Sequence, residues 1–123
     1  MGYSSDVRAL VYVKDRATDA DQYMQLKLLM STTFKDVFEE WPSHFRWNDN
    51  ERVLDFQADG VKWYESFEDV QNVERFLREV EELEYVVEFV RVGEEENGGD
   101  VVTRYSDGAE YILSTSTSIS CYF

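Results

Sequence analysis

Residues 66–92 read SFEDVQNVERFLREVEELEYVVEFVRV, a helix-like segment followed directly by a strand-like one. From Phe67 to Leu83, apolar residues recur at intervals of three and four, which places them on one face of a helix. The pattern then changes to a nearly continuous apolar run, Tyr85–Val92, rich in the β-branched residues that favour strands. We therefore predict a helix that packs against the strand following it.

The flanking segments predict the other elements. Residues 7–13 have the β-branched and aromatic composition of a buried strand. Apolar residues at helical spacing from Leu26 to Trp41 predict one long helix, which the weak helix formers Ser31-Thr32-Thr33 would break or bend. Helix caps are predicted at Thr18 with Asp21 and at Ser66 with Asp69. Turn-forming residues separate the remaining predicted strands, which are 45–47, 53–56, 61–64, 101–105 and 109–113.

This order of elements, β-α-β-β-(β)-α-β-β-β, predicts an α+β fold with two helices on one face of a mainly antiparallel sheet. The first six elements fit a ferredoxin-like split βαβ unit, and a C-terminal β-hairpin would follow it. The 123 residues, 1–123, are the length of one acidic domain. The polar tail, residues 114–123, is expected either to fray or to pair as an edge strand.

The charge is strongly acidic, with 26 acids against 12 bases and a net charge of −14. Nucleic-acid affinity comes from Lys and Arg neutralising phosphates, so direct binding to nucleic acid is disfavoured and a protein with a basic surface is the expected partner. The sequence contains no run of about 18 apolar residues, so we predict no membrane span. A single cysteine and the absence of a secretory-signal pattern favour an intracellular setting. The oligomeric state is left open.

Catalytic and metal-binding patterns are weak. His44 and Cys121 are the only residues of their kinds, and nothing in the flanking sequence activates either one. The oxygen-rich segment 48–51 lacks the spacing of a calcium loop and is better interpreted as a hairpin turn. Residues 97–100 are glycine-containing but are not followed by a helix, which a phosphate loop requires. We predict no enzyme, no catalytic residue, no metal and no cofactor.

The acids are concentrated between Glu65 and Glu96, where twelve acids and three arginines give a local net charge of −9. Helix positions three or four apart lie roughly 5–6 Å from each other, so such a helix presents a phosphate-like row of charge. The alternative is a solvated helix face without a partner. Trp41, Trp47, Trp63 and Tyr64 belong either to the core or to an interface. The predicted partner-binding residues are Glu65, Glu68, Asp69, Glu74, Glu79, Glu81, Glu82, Glu94, Glu95 and Glu96.

Four segments, residues 2–7, 32–35, 61–64 and 88–94, resemble segments of a family of small tailed-phage proteins that begin Met-Gly-Tyr-Arg-Ser-Asp-Val. In the first segment, Ser4 stands in place of the arginine. The resemblance covers most of residues 2–94 and carries no assigned catalytic residues. It implies a phage protein that acts in the cytoplasm of an infected bacterial host.

The resemblance and the charge together suggest three hypotheses. The first is an acidic DNA mimic that inhibits a host DNA-handling protein; likeness to a phage gyrase inhibitor favours DNA gyrase, with restriction, CRISPR and nucleoid proteins as other targets. The second is a general phage interaction or regulatory module without DNA mimicry. The third is a small enzyme or metal-binding protein that uses the carboxylates.

Overall fold

The computed structural model describes residues 4–93, 101–115 and 119–123. Within these ranges the chain forms, in order, β1 (Ser5–Tyr12), α1 (Ala20–Ser31), α2 (Lys35–Glu40), β2 (Phe45–Asn48), β3 (Val53–Val61), α3 (Glu68–Glu82), β4 (Val86–Gly93), β5 (Val101–Tyr105), β6 (Leu113–Thr115) and β7 (Ile119–Cys121). The first five strands make one sheet in the order β2-β3-β1-β4-β5, and β6 pairs with β7 in a separate hairpin. This arrangement confirms the predicted α+β class with a mainly antiparallel sheet.

The connections explain the strand order. β1 pairs antiparallel with both β3 and β4, and β2 pairs antiparallel with β3. α1 and α2 connect β1 to β2, while α3 connects β3 to β4, so each connection passes over a strand inserted between its two ends. The order β2-β3-β1-β4 with these two crossings is the ferredoxin-like split βαβ arrangement that the sequence predicted.

The first predicted helix is divided in two, so the described residues contain three helices where the sequence predicted two. The division falls at the predicted weak point. Ser31 Oγ and Thr32 Oγ1 both donate to the carbonyl oxygen of Leu28, at 2.9 and 2.7 Å. These hydroxyls compete for a carbonyl that a continuing helix would use, and α2 starts again at Lys35.

The predicted strand at residues 61–64 is wrong, because Asp59-Gly60 does not end β3. The strand continues to Val61, and the pairing with β1 shifts register between Ser5 and Val7. Gly60 has φ of 63°, and its N–H donates to Asp6 Oδ1 at 2.9 Å. A glycine in the left-handed region with an unmatched residue is a β-bulge, which bends the strand without reversing it.

The predicted helix caps are also corrected. α1 is capped by Asp19, whose Oδ1 accepts from the N–H of Gln22 at 3.0 Å, one residue beyond the predicted Thr18. α3 follows Phe67, which makes no side-chain cap, and Asp69 Oδ1 accepts from the neighbouring Val70 N–H. Cap sequences therefore marked where the helices begin but not which side chain closes them.

The predicted pairing of residues 101–105 with 109–113 is wrong as well. β5 pairs with β4 as the fifth strand of the sheet, and the later residues cross to the opposite face, where β6 pairs with β7. The turn at Asp107-Gly108 forms as predicted, but Tyr111 has φ of 56°, which prevents a regular strand from following it. Residues 119–121 of the tail are paired in β7.

The sheet separates two apolar layers. Alternate residues of β1, such as Val7 and Val11, face the three helices, whereas Leu10 and Tyr12 face the C-terminal hairpin. Trp41 and Trp63 are buried on the helix side, with exposures of 7% and 6%, and their ring centroids lie 5.7 Å apart. These two tryptophans are therefore core residues; Trp47 packs, partly buried, against the same layer.

Candidate functional site: the acidic face of α2 and α3

α3 directs its charge outward because its apolar stripe points inward. Val70, Val73, Phe76, Leu77 and Val80 are all buried against the sheet. The other ten positions of α3 are exposed or half-buried, and six of them carry acids. α2 follows the same rule over a shorter length, since Val37 is buried while the acids on either side of it are exposed.

α2 lies directly beside α3 and extends its charged surface. Trp41 Nε1, at the end of α2, donates to the carbonyl oxygen of Asp69 at 3.3 Å, and Asn72 Nδ2 donates to Glu40 Oε1 at 2.8 Å. Together the two helices carry nine acids against three bases, a net charge of −6. We call their combined outer surface the α2–α3 face.

The α2–α3 face includes three acids that the sequence analysis did not select. Asp36, Glu39 and Glu40 are exposed. Asp36 lines a groove together with Glu68 and Glu79 of α3, and Glu40 accepts a hydrogen bond from Asn72 of α3. The signal in the sequence was three acids within the six residues Lys35–Glu40, next to a buried valine. Their position beside α3 is a property of the tertiary packing and has no local signature.

Six of the predicted partner-binding residues are exposed in the structure. Glu68, Glu79 and Glu82 follow the outer side of α3, opposite the buried stripe, while Glu81 borders a groove on the β5 side. The exposed residues are Glu65, Glu68, Asp69, Glu79, Glu81 and Glu82. The predicted residues Glu94, Glu95 and Glu96 lie outside the described part of the chain.

Glu74 differs from the other predicted residues because it is half-buried and bonded to neighbours. Its Oε2 accepts from Arg104 Nη2 of β5 at 2.5 Å, and its Oε1 accepts from Trp63 Nε1 at 3.3 Å. Arg104 in turn lies over the Phe89 ring, 4.5 Å from the centroid. These contacts make Glu74 a structural link between α3 and the sheet, with little free charge for a partner.

The acids of α3 do not form an unbroken row. Arg75 and Arg78 are exposed on the same outer side, between Glu68 and Glu82. Arg75 Nη2 donates to Asn72 Oδ1 at 2.5 Å, a neutral acceptor, so it leaves the nearby carboxylates ionically unpaired. The face is therefore acidic overall but patterned, with cationic positions inside it.

A groove of about 290 Å³ separates α2 from α3. Its floor is apolar and its edges are acidic, an arrangement produced by the inward and outward sides of two adjacent helices. The lining residues are Phe34, Val37 and Phe76 on the apolar side, Asp36, Glu68 and Glu79 among the acids, and Thr33, Asn72 and Arg75 beside them.

A second charged region joins the segment after β1 to the β2–β3 turn and to Glu110, and we call it the Arg16 junction: Arg16, Glu51, Arg52 and Glu110. Arg16 donates from Nε and Nη2 to the two oxygens of Glu110, at 2.7 and 2.9 Å, and from Nη1 to Glu51 Oε2 at 2.9 Å. Arg52 Nη1 donates to the carbonyl oxygens of Arg16 and Ala17. Hydrogen bonding to Arg16 lowers the pKa of the Glu110 carboxyl.

Glu88 lies within the acid-rich stretch of the sequence but contributes nothing to the surface. It is fully buried beneath the C-terminal hairpin, where Tyr12 Oη donates to its Oε2 and the Leu113 N–H donates to its Oε1 at 2.9 Å. The N–H of Glu110 donates to Tyr12 Oη at 2.7 Å. Burial raises the pKa of the Tyr12 phenol, which keeps its O–H as the donor that the carboxylate needs.

His44 and Cys121 do not meet. His44 packs against Trp41 and Phe56 in the helix-side layer, whereas Cys121 packs against the layer beneath the hairpin, on the other face of the sheet. Burial raises the pKa of the Cys121 thiol, which opposes formation of a reactive thiolate. The geometry gives this pair no means of acting together.

Residues 48–51 form part of the β2–β3 turn, as predicted. Asn48 Oδ1 accepts from the Glu51 N–H at 3.1 Å, and Asp49 Oδ1 accepts from Tyr23 Oη and Lys27 Nζ, each at 2.6 Å. Over the ranges that the structure describes, no three His, Cys, Asp or Glu side chains come together as metal ligands. Among those same residues, no helix combines the length and apolar character needed to cross a lipid bilayer.

The chain matches no family model, no curated protein and no solved structure. The resemblance to the phage group is therefore an expectation from residues alone. The distribution of charge over the α2–α3 face is the observation on which a functional proposal rests.

Proposed function

We propose that this protein binds the basic, DNA-contacting surface of another protein and occupies it in place of DNA. The observation that carries the proposal is the α2–α3 face, where nine acids outnumber three bases on two adjacent helices. A surface of one sign attracts a surface of the other, raises the rate of encounter and excludes partners of like charge. Binding of this kind requires no catalytic residue.

The dimensions of the face suit a DNA-binding groove. Glu68 and Glu82 are fourteen residues apart in a helix that rises about 1.5 Å per residue, so their backbones are separated by roughly 21 Å along the axis. That length corresponds to about six base pairs of duplex DNA at 3.4 Å each. A groove that follows a phosphate backbone over this distance would meet carboxylates at both ends of α3.

The proposed target is inferred from the resemblance to the tailed-phage proteins. A phage product in the cytoplasm of an infected bacterium meets host proteins that handle DNA, and inhibition of one of them is the proposed outcome. DNA gyrase is the favoured target; restriction, CRISPR and nucleoid proteins share the same basic DNA-contacting chemistry.

Competition with DNA is the decisive test. The immobilised protein is used to capture partners from host lysate at low salt, and captured proteins are identified by mass spectrometry. We expect a DNA-binding protein that duplex DNA displaces and that is released steeply as salt rises. Purified gyrase is then tested for loss of DNA binding in the presence of the protein. Recovery of partners that duplex DNA does not displace would contradict DNA mimicry.

One observation favours the alternative of a general interaction module. Met24 and Leu28 on α1 and Leu83 after α3 are large apolar residues with more than half of their surface exposed. Leu28 and Leu83 border a groove of about 340 Å³ together with Tyr85. An interface at this α1 surface would depend on apolar contact and show little salt dependence, so Leu28→Lys would abolish it and leave an interface on the α2–α3 face intact.

A further inference from the structure

The groove between α2 and α3 has a composition that neither helix has alone. Phe34, Val37 and Phe76 provide apolar surface at its base, and Asp36, Glu68 and Glu79 provide three carboxylates around it. Phe34 and Phe76 pack edge to face with their ring centroids 5.0 Å apart, which holds the base in place. These three apolar residues are themselves buried and present only a narrow apolar base, so the lining matches a ligand with a short apolar stem and a cationic end.

None of the three carboxylates that line the groove is paired with a described cation. In the described portions of the chain, Asp36, Glu68 and Glu79 take part in no ion pair, while Glu39 pairs with Lys35 and Glu74 pairs with Arg104 outside the groove. Among the described residues that line the groove, Arg75 is the one cation, and its guanidinium donates to Asn72. The groove therefore retains a net negative charge of about two, three carboxylates against one guanidinium.

We infer that this groove accepts a single arginine side chain from the partner's basic surface, an inference that rests on the proposed function and names its anchor. The methylene stem of arginine lies on apolar surface while its planar guanidinium donates to carboxylates on more than one side. Lysine offers a similar stem but only a compact ammonium, which suits one carboxylate at a time. The volume of about 290 Å³ lies just under the usual range of small-molecule sites, roughly 300–1,000 Å³, and suits one side chain.

Arg75 opposes this anchor. It occupies one edge of the groove with a positive charge and repels an incoming guanidinium. Arg75→Gln removes the charge and retains a side chain that can hydrogen-bond to Asn72. The anchor thus predicts a substitution that strengthens binding, which a loss of folding cannot imitate.

The probe is a hexa-arginine peptide, with hexa-lysine of equal charge as its comparison. The full chain is titrated at fixed ionic strength, with affinity measured by calorimetry and contacts mapped by NMR at the Val37 methyl groups and the Asn72 side-chain amide. We expect hexa-arginine to bind more tightly than hexa-lysine and to shift both groups. Equal affinities of the two peptides, unmoved Val37 signals or no binding at all would overturn the anchor.

Matched substitutions separate the groove from the general charge. Glu68→Gln and Glu79→Gln should each weaken hexa-arginine binding by about two- to fivefold, the effect of one exposed ion pair. Glu82→Gln removes the same charge from the outer side of α3, away from the groove, and should change affinity less. Arg75→Gln should raise affinity. Equal losses for Glu79→Gln and Glu82→Gln would show that only net charge matters.

The two proposals fail separately. If hexa-arginine ignores the groove while duplex DNA still displaces a host protein, the anchor is wrong and DNA mimicry stands. If the groove binds hexa-arginine with the predicted substitution effects but no captured partner is displaced by DNA, the anchor stands and DNA mimicry is wrong.

Discussion

The Arg16 junction and the α2–α3 face use the same residue types in opposite ways. At the junction, Arg16 is shared between Glu51 and Glu110, and the pairs connect segments 35 and 94 residues apart in sequence. On the face, nine acids meet three bases, and two of those bases, Arg75 and Arg78, form no ion pair with a described residue. The comparison teaches that charge stabilises the fold at the junction, whereas seven of the nine acids on the face form no ion pair with a described residue.

The charged side chains of the whole protein, with a net charge of −14, are divided in the same way. Arg8 pairs with Asp55 beneath the hairpin at 2.7 Å, Lys27 pairs with Asp49 at 2.6 Å, and Arg104 pairs with Glu74 at 2.5 Å. Many of the cations are thus committed to contacts that hold the sheet, the turn and the hairpin together. The helices α2 and α3 carry −6 of this charge, which repels itself and favours a cationic partner.

Tyr12→Phe should have the largest effect, because it acts on the buried connection behind the junction. Without the hydroxyl, a buried carboxylate oxygen of Glu88 and the N–H of Glu110 lose their partner. A buried charged group without its hydrogen bond costs about 2–3 kcal/mol of unfolding free energy. Urea unfolding measures the loss, with the exposed substitution Tyr122→Phe as the control. A loss below about 1 kcal/mol would mean that water or the backbone replaces the phenol.

Substitutions on the α2–α3 face should weaken binding and leave stability nearly unchanged, which is the opposite of the result expected for Tyr12→Phe. Charge reversal of Glu79 and Glu82 to Lys should lower affinity for a basic partner by at least tenfold, about 1.4 kcal/mol, and leave the unfolding free energy within about 0.5 kcal/mol of the unsubstituted protein. Reversal of Asp21 and Asp107, both exposed and away from the face, changes the net charge equally and serves as the control. If both pairs of substitutions weaken binding to the same degree, the α2–α3 face is not the contact surface.

The sequence predicted what depends on local periodicity. Of the stripe predicted from Phe67 to Leu83, the five central residues Val70, Val73, Phe76, Leu77 and Val80 are buried, whereas Phe67 and Leu83 at its ends are exposed. The strand that follows α3 lies in the sheet, as predicted. The weakness at residues 31–33 divided the first helix at the predicted place.

What the sequence missed depends on long-range contacts. The sequence around Glu74 does not indicate its hydrogen bond to Arg104, thirty residues away. The sequence around Glu88 likewise does not indicate its hydrogen bond to Tyr12. The left-handed backbone of Tyr111 likewise has no signal in the segment 109–113, which was predicted as a strand. The helix side of the fold was therefore easier to predict than the hairpin side, and the acids of α2 joined the candidate site only through packing.

Arg16→Gln tests the junction at smaller magnitude. The change removes the two-pronged bond to Glu110 and the contacts with Glu51, at a position where the arginine is mostly buried and the acids are partly exposed. We expect a loss of about 1 kcal/mol in unfolding free energy, since partly exposed ion pairs contribute modestly. Arg16→Lys should not restore it, because a single ammonium cannot replace the planar fork. Full recovery with lysine would show that charge alone is enough.

The pH dependence of the junction should be the smallest effect. The folded-state pKa of the Glu110 carboxyl lies below its unfolded value because Arg16 donates to the ionised form. This carboxyl therefore stabilises the fold above its unfolded pKa, about 4.3, and the contribution disappears as pH falls through the lower folded pKa. Glu110 is exposed enough for solvent screening to keep the change small.

The measurement is the urea midpoint of unfolding from pH 6 to pH 3, for the unsubstituted protein and for Arg16→Gln. The difference between the two midpoints should narrow at the acidic end. A difference that stays constant or widens would mean that Arg16 stabilises the fold through its bond to the Glu51 carbonyl and its packing on Tyr12, with no contribution from the Glu110 charge.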